Sequence, residues 1–211
     1  MKMIRHILFD LDNTLYSARY GLEDVFFIRL QKYTSAFLGL SVEECEVLRK
    51  EGYKRHGTTL AWLIAEKGFT DMDGYFAHVH PEYEADHLPP DPDLRRFIES
   101  LPCSCSILTN SPLFHAERII KKLGFEGLFK HVFDVTYNKG KGKPNASSYL
   151  NPLSVLGLTP KEAIFIDDLP LYVEGYIAVG GRGILFDDCD TYKDYTGERI
   201  RDLRELSNLF K

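Results

Sequence analysis

Several features are scarce in this chain of 211 residues. It has four cysteines (Cys45, Cys103, Cys105 and Cys189), few and scattered for its length, and Cys103 and Cys105 stand too close in an expected strand to pair easily. Reduced thiols are therefore expected in preference to disulfides or metal ligands. No window approaches the roughly 18 apolar residues of a membrane span, so no membrane partner is expected. Basic charge is not in surplus: 26 Lys and Arg against 31 Asp and Glu leave a formal net charge of −5. That balance argues against a nucleic-acid polymer as partner, because a phosphate backbone calls for a basic face. A small anionic substrate stays open, since a local cation can invert the field inside one site. There is no internal repeat and no low-complexity stretch. The opening residues, Met1 to His6, run directly into an apolar strand that Asp10 and Asp12 interrupt, so no signal peptide is expected and the expected location is the cytoplasm.

What is present begins with an ordinary globular composition, 44% hydrophobic and 27% charged. The length suits one large domain, or a core with a smaller domain inserted. Three zones follow one another. The first is a strand running to Leu15. The second, residues 16–88, contains no convincing strand: Leu22, Phe26, Leu30, Tyr33 and Phe37 recur at helical spacing, and a second helix is expected from Ser41, which with Glu44 fits a capping box. A third apolar stretch covers Leu60 to Ala65. The aromatic residues Phe26, Phe27, Tyr33 and Phe37 are expected to form this insertion's own core, and His78 and His80 to lie at its surface. The third zone starts at the turn-rich Leu88-Pro89-Pro90-Asp91-Pro92. From there helices (93–100, 114–123, 146–156, 171–178) alternate with strands (106–108, 132–135, 163–166, 183–186), and Ile200, Leu203, Leu206 and Phe210 suggest a last helix. Such alternation implies βαβ units and a parallel sheet covered on both faces.

The chemistry-bearing residues sit where those strands end. The first strand delivers Asp10 and Asp12, with Thr14 close behind; the next delivers Thr109 and Asn110, and the strand at 163–166 delivers Asp167 and Asp168. Parallel strands place their C-terminal ends on one edge, which is where ligands bind in open α/β sheets, so these groups should converge. Lys143, on the loop before the helix at Ala146, should reach the same edge. Adjacent carboxylates repel unless a cation or a shared proton resolves them, which makes the cluster a candidate for metal-assisted chemistry. The nearby Gly140–Gly142 pair is not a phosphate-binding P-loop, because the Gly-Lys-Ser/Thr ending is absent.

In this order the residues resemble the four motifs of the haloacid dehalogenase-like (HAD) hydrolase superfamily, mostly phosphatases. Asp10-Leu11-Asp12-Asn13-Thr14 resembles the first motif, Thr109 the second, Lys143 the third and Asp167-Asp168 the fourth. The resemblance implies a Rossmann-like, doubly wound α/β core (residues 1–15 and 89–211) carrying an all-helical C1-type cap domain (16–88). It also implies roles. Asp10 would be the nucleophile that forms an aspartyl-phosphate, and Asp12 the acid and base. Lys143 would stabilise the phosphoryl group, and Thr109, with Asn110, would bind its oxygens. One Mg²⁺ would be held by Asp10, the Asp12 backbone carbonyl and Asp168, with Asp167 a direct or indirect ligand. The implied partner is a small phosphorylated metabolite. Tyr172 departs from the pattern: four residues after the second Asp of motif four, the family usually carries Asn or Asp, which helps hold the metal shell. The stretches Phe9-Asp10-Leu11-Asp12-Asn13-Thr14-Leu15-Tyr16 and His56-Gly57-Thr58-Thr59-Leu60, and Asp86-His87-Leu88-Pro89 followed by Asp91, resemble the pyrimidine 5′-nucleotidase branch, which implies a nucleoside monophosphate as substrate. A sugar phosphomutase, a haloalkanoate dehalogenase and a non-catalytic binding protein remain as alternatives. Asp12 counts against the dehalogenase, and Tyr172 supports the non-catalytic reading.

Overall fold

The computed structural model describes residues 4–210; Met1–Met3, read above as leading into the first strand, lie outside the described residues. The chain divides into two compact units, Met1–Tyr20 with His87–Lys211, and Gly21–Asp86. The first is built on a six-stranded sheet: β1 (His6–Phe9), β2 (Ser104–Leu108), β3 (Val132–Phe133), β4 (Ala163–Asp167), β5 (Arg182–Phe186) and β6 (Arg199–Ile200). All pairings are parallel, in the order β3-β2-β1-β4-β5-β6. The sheet is therefore doubly wound, with β1 central and the chain leaving it on both sides. Ile7, Leu8 and Phe9 on β1 and Ile164, Phe165 and Ile166 on β4 are all 0% exposed. Strands covered on both faces lose the alternation of a half-buried strand and read as continuous apolar runs.

The second unit holds helices α1 (Leu22–Leu38), α2 (Val42–His56), α3 (Thr59–Lys67) and α4 (Met72–Val79), and no strand among the described residues. The Ser41–Glu44 capping box is present at the start of α2. Gly57 ends that helix in the left-handed region, at φ 79°, where glycine carries no Cβ penalty. Thr58 then caps α3 by accepting from Ala61 N–H at 3.0 Å. Helices α2 and α3 close on each other where Gly52 meets the buried Trp62; a Cβ at Gly52 would overlap the indole. Two expectations need correcting here. Phe27 and Phe37 are 37% and 42% exposed, because α1 turns Leu22, Leu30, Thr34 and Ser35 inward instead. His80 is buried rather than at the surface: its Nδ1–H donates to Glu84 Oε2 at 3.0 Å and its ring stacks on Phe26.

The sheet unit carries α5 (Pro92–Glu99), α6 (Leu113–Leu123), α7 (Ala146–Leu156) and α8 (Pro170–Ala178). The expected last helix starts too early. Ile200 lies in β6, where its carbonyl accepts from Asp187 N–H at 2.9 Å, and a 3₁₀ helix begins only at Leu203. Glu205 Oε1 separates the two by capping Arg201 N–H at 2.8 Å and Asp202 N–H at 3.0 Å. Among the described residues no helix is long and apolar enough to cross a membrane.

Candidate active site

β1 stays paired with β4 through Asp10, whose N–H donates to the Ile166 carbonyl at 2.8 Å. The strand does not continue to Leu15. The Leu11 carbonyl accepts from Thr14 N–H at 3.3 Å and Leu15 N–H at 3.0 Å, and Asn13 takes a left-handed φ of 57°, a region Asn tolerates better than most residues. This turn gives the two carboxylates unlike surroundings. The Asp10 side chain is buried, whereas that of Asp12 is 31% exposed.

Asp10 is met by Lys143. The ammonium donates to Asp10 Oδ1 at 2.5 Å and to Asp167 Oδ2 at 2.6 Å, with all three side chains buried. Burial pushes the Asp10 carboxyl up, Lys143 pulls it back, and the charges of Asp167 and Asp12 push it further, leaving it raised to about 8. Asp167 is raised for the same first reason. Burial works against the charge on Lys143, but the two carboxylates hold it well above the usual lysine range. The ammonium also stands over the rings of Phe165 and Tyr172, at 5.3 and 5.1 Å, so Tyr172 packs against the lysine from the position where the family's polar residue is expected. Of the three lysines in this loop, Lys139 and Lys141 are exposed and Lys143 is 1% exposed.

Asn110 fixes the loop that supplies this lysine. Its Oδ1 accepts from Lys143 N–H at 2.7 Å and its Nδ2–H donates to the Lys143 carbonyl at 3.0 Å, an amide pairing with both ends of one residue's backbone. The fit requires glycine next door, since a Cβ at Gly142 would overlap the Asn110 amide. Thr109 is buried at the end of β2, its N–H bonded to the Phe133 carbonyl at 3.0 Å and its Oγ1 accepting from Ser111 N–H at 3.0 Å. At the end of β4, Asp167 Oδ1 accepts from Leu169 N–H at 2.9 Å, and Asp168 Oδ2 accepts from Asn13 Nδ2 at 3.5 Å. Asp10, Asp167 and Asp168 bring carboxylate oxygens within 4.8 Å of one another. Such a set of hard, anionic oxygens fits a divalent cation such as Mg²⁺.

Asp12 has a separate set of partners that the sequence did not tie to it, Tyr16 having stood out only as a marker of a family branch. Its Oδ1 accepts from Tyr16 Oη–H and from His115 Nε2–H, each at 2.7 Å, and its Oδ2 accepts from Ser111 Oγ–H at 2.7 Å. Burial pushes this carboxyl up, but His115 and the three hydrogen bonds outweigh it and hold Asp12 well below the usual carboxylate range. A signal for His115 does exist in the sequence: it begins the buried row His115, Ile119, Leu123 of α6, a polar ring on an otherwise apolar stripe.

Comparison with known proteins follows the same lines. Phosphate metabolism protein 8 of Saccharomyces cerevisiae is 27% identical over 186 residues, 82% of this chain; the chain spans 58% of that protein's length. Among solved structures, a HAD phosphatase from Thermococcus onnurineus superposes with a TM-score of 0.67 at 22% identity, covering 98% of both chains. L-2-haloacid dehalogenase from Xanthobacter autotrophicus superposes with a TM-score of 0.61 at 18% identity, covering 99% of this chain and 98% of that one. These two superpositions establish the fold alone, because one scaffold serves both chemistries. A family model of haloacid dehalogenase-like hydrolases matches residues 4–175, and the chain belongs to that family.

Proposed function

We propose that the protein is a Mg²⁺-dependent phosphatase that hydrolyses a small phosphate monoester through an aspartyl-phosphate on Asp10. The observation that carries this reading is the second carboxylate. Asp12 stands two residues from Asp10, partly exposed and held by three hydrogen-bond donors. Displacing a halide requires no proton for its leaving group. Displacing an alkoxide does, and Asp12 is where that proton would be handled.

In this reading an Asp10 carboxylate oxygen attacks phosphorus and the bond from phosphorus to the alkoxide oxygen breaks. The alkoxide leaves with a proton from Asp12, whose proton affinity rises as the phosphate anion approaches. Water then attacks the aspartyl-phosphate, gives its proton to Asp12, and releases phosphate and free Asp10. Lys143 balances the charge around Asp10; at an effective dielectric near 20, two unit charges 4 Å apart interact by about 4 kcal/mol. Thr109 and neighbouring backbone amides bind the phosphoryl oxygens. Asn110 holds the Lys143 backbone at both its N–H and its carbonyl, and its second amide hydrogen would serve the phosphoryl oxygens beside Thr109. Mg²⁺ would be held by Asp10, Asp168 and the Asp12 carbonyl, with Asp167 beside them, and when bound it supplies charge neutralisation between the nucleophile and the phosphate.

The unit Gly21–Asp86 would serve as the cap that selects substrate. Its resemblance to the pyrimidine 5′-nucleotidase branch makes UMP and CMP the first candidates. Part of that resemblance also has a structural use, since Gly57 and Thr58 cap α2 and α3. The test is phosphate release with Mg²⁺ across nucleotides, sugar phosphates and aryl phosphates. Asp10→Asn is expected to lose at least about a thousandfold in turnover while its circular dichroism and melting stay near wild type. Unchanged activity in that variant would refute the mechanism, and cleavage of sugar phosphates without UMP or CMP would refute the nucleotidase branch.

A further inference from the structure

We propose that His115 is a positioning residue for the reaction, holding Asp12 so that Oδ2 is the atom that handles the leaving-group and water protons. The proposal rests on the phosphatase reading above. Its basis is the unequal occupation of the two carboxylate oxygens. Each carboxylate oxygen offers about two lone-pair directions. Oδ1 takes two donors, Tyr16 Oη and His115 Nε2, both at 2.7 Å, while Oδ2 takes one, Ser111 Oγ, also at 2.7 Å. The donors come from three segments: the turn after β1, the loop after β2 and the first turn of α6. The carboxylate is thereby fixed in rotation, yet 31% of the Asp12 side chain remains exposed. The free direction on Oδ2 is the one left for a reacting oxygen.

Among these donors His115 is the one carried by a helix. It sits on the apolar row of α6 with Ile119 and Leu123, and its side chain is 3% exposed. On that row the ring keeps one polar edge committed to Asp12, through Nε2 at 2.7 Å from Oδ1. Because a carboxylate only accepts, the Nε2 atom must carry hydrogen. The helix start is fixed in turn, with Leu113 N–H donating to Asp134 Oδ2 at 3.0 Å. His115 is thus rigidly aimed, and its effect on the chemistry passes through Asp12.

The test compares His115→Leu, which keeps apolar bulk without the donor, with His115→Gln, whose amide N–H can replace Nε2–H. With the phosphate monoester that wild type cleaves best, His115→Leu is expected to lower kcat by about tenfold or more with KM within about twofold. His115→Gln should recover most of kcat. A kcat within about twofold of wild type for His115→Leu, or equal losses in the Leu and Gln variants, overturns the proposal. Should His115→Leu fail to fold, Tyr16→Phe removes the other Oδ1 donor, carries the same kinetic expectation, and overturns the proposal by an unchanged kcat. A wild-type protein that releases phosphate from no ester refutes the phosphatase reading by itself. Crystals of His115→Leu then decide the positioning claim, which fails if the Asp12 carboxylate keeps its wild-type orientation.

Discussion

Asp10 and Asp12 are the same residue type two positions apart, and their surroundings send them in opposite directions. Burial raises Asp10 to about 8, while three donors keep Asp12 well below the usual carboxylate range. In the proposed mechanism Asp10 must be ionised to attack, so kcat/KM is expected to rise with pH through the Asp10 value. A cation bound beside Asp10 favours its charged form, so the acid limb should move to lower pH as Mg²⁺ is raised. Rate profiles at several Mg²⁺ concentrations check this; an acid limb indifferent to Mg²⁺ would show that Asp10 is not the group titrating. At this scale the sequence disclosed the residues that the family motifs carry, but not their tuning. Ser111 and His115 stayed hidden because nothing local ties them to Asp12 until the fold brings them there, and Tyr16 stood out only as a marker of a family branch, not as a partner of Asp12. The pairing of Asn110 with Lys143 was hidden for the same reason, since it joins residues 33 positions apart.

Within the elements, β1 carries one unusual residue. His6 opens the central strand of the sheet, its Nδ1 2.6 Å from Ser104 Oγ and its Nε2 buried with no hydrogen-bond partner among the described residues. Burial, then Lys130 and His131, lower its pKa from the ordinary 6.5 to about 4. Since the unfolded chain takes up that proton first, stability should fall as pH drops from 6.5 to about 4 and change no further through this group below that. The loss is up to about 3 kcal/mol. Urea unfolding at several pH values, with His6→Val as a flatter comparison, measures it. Most elements were legible because their burial is simple. Strands covered on both faces read as apolar runs, and α6 reads as a stripe ended by Gly124, which takes φ 75°. The end of the chain misled because Ile200, Leu203 and Leu206 have helical spacing although Ile200 is paired in a sheet. Spacing reports which residues are buried, not which backbone partner they find. The same limit explains the α1 aromatics, whose periodicity was right while the inward face was set by other residues.

For the molecule as a whole, the doubly wound order could be expected from alternation, but the register that brings strand ends together is a long-range property. Asp10, Lys143 and Asp167 meet across 133 and 24 residues of chain. Replacing Lys143 with Met leaves two buried carboxylates facing each other without a cation, a change worth about 3–5 kcal/mol of stability. Calorimetry should show a large fall in Tm for Lys143→Met, and Mg²⁺ should restore far more of it than it adds to the wild type, by mass action on the folded state. An equal response of the two proteins to Mg²⁺ would count against this account. The lysine is in effect an internal counterion. It lets a cluster of acids assemble before any metal arrives, so that folding and metal supply are separate problems for the cell. Without it, the fold itself would depend on a bound cation to hold the acids together.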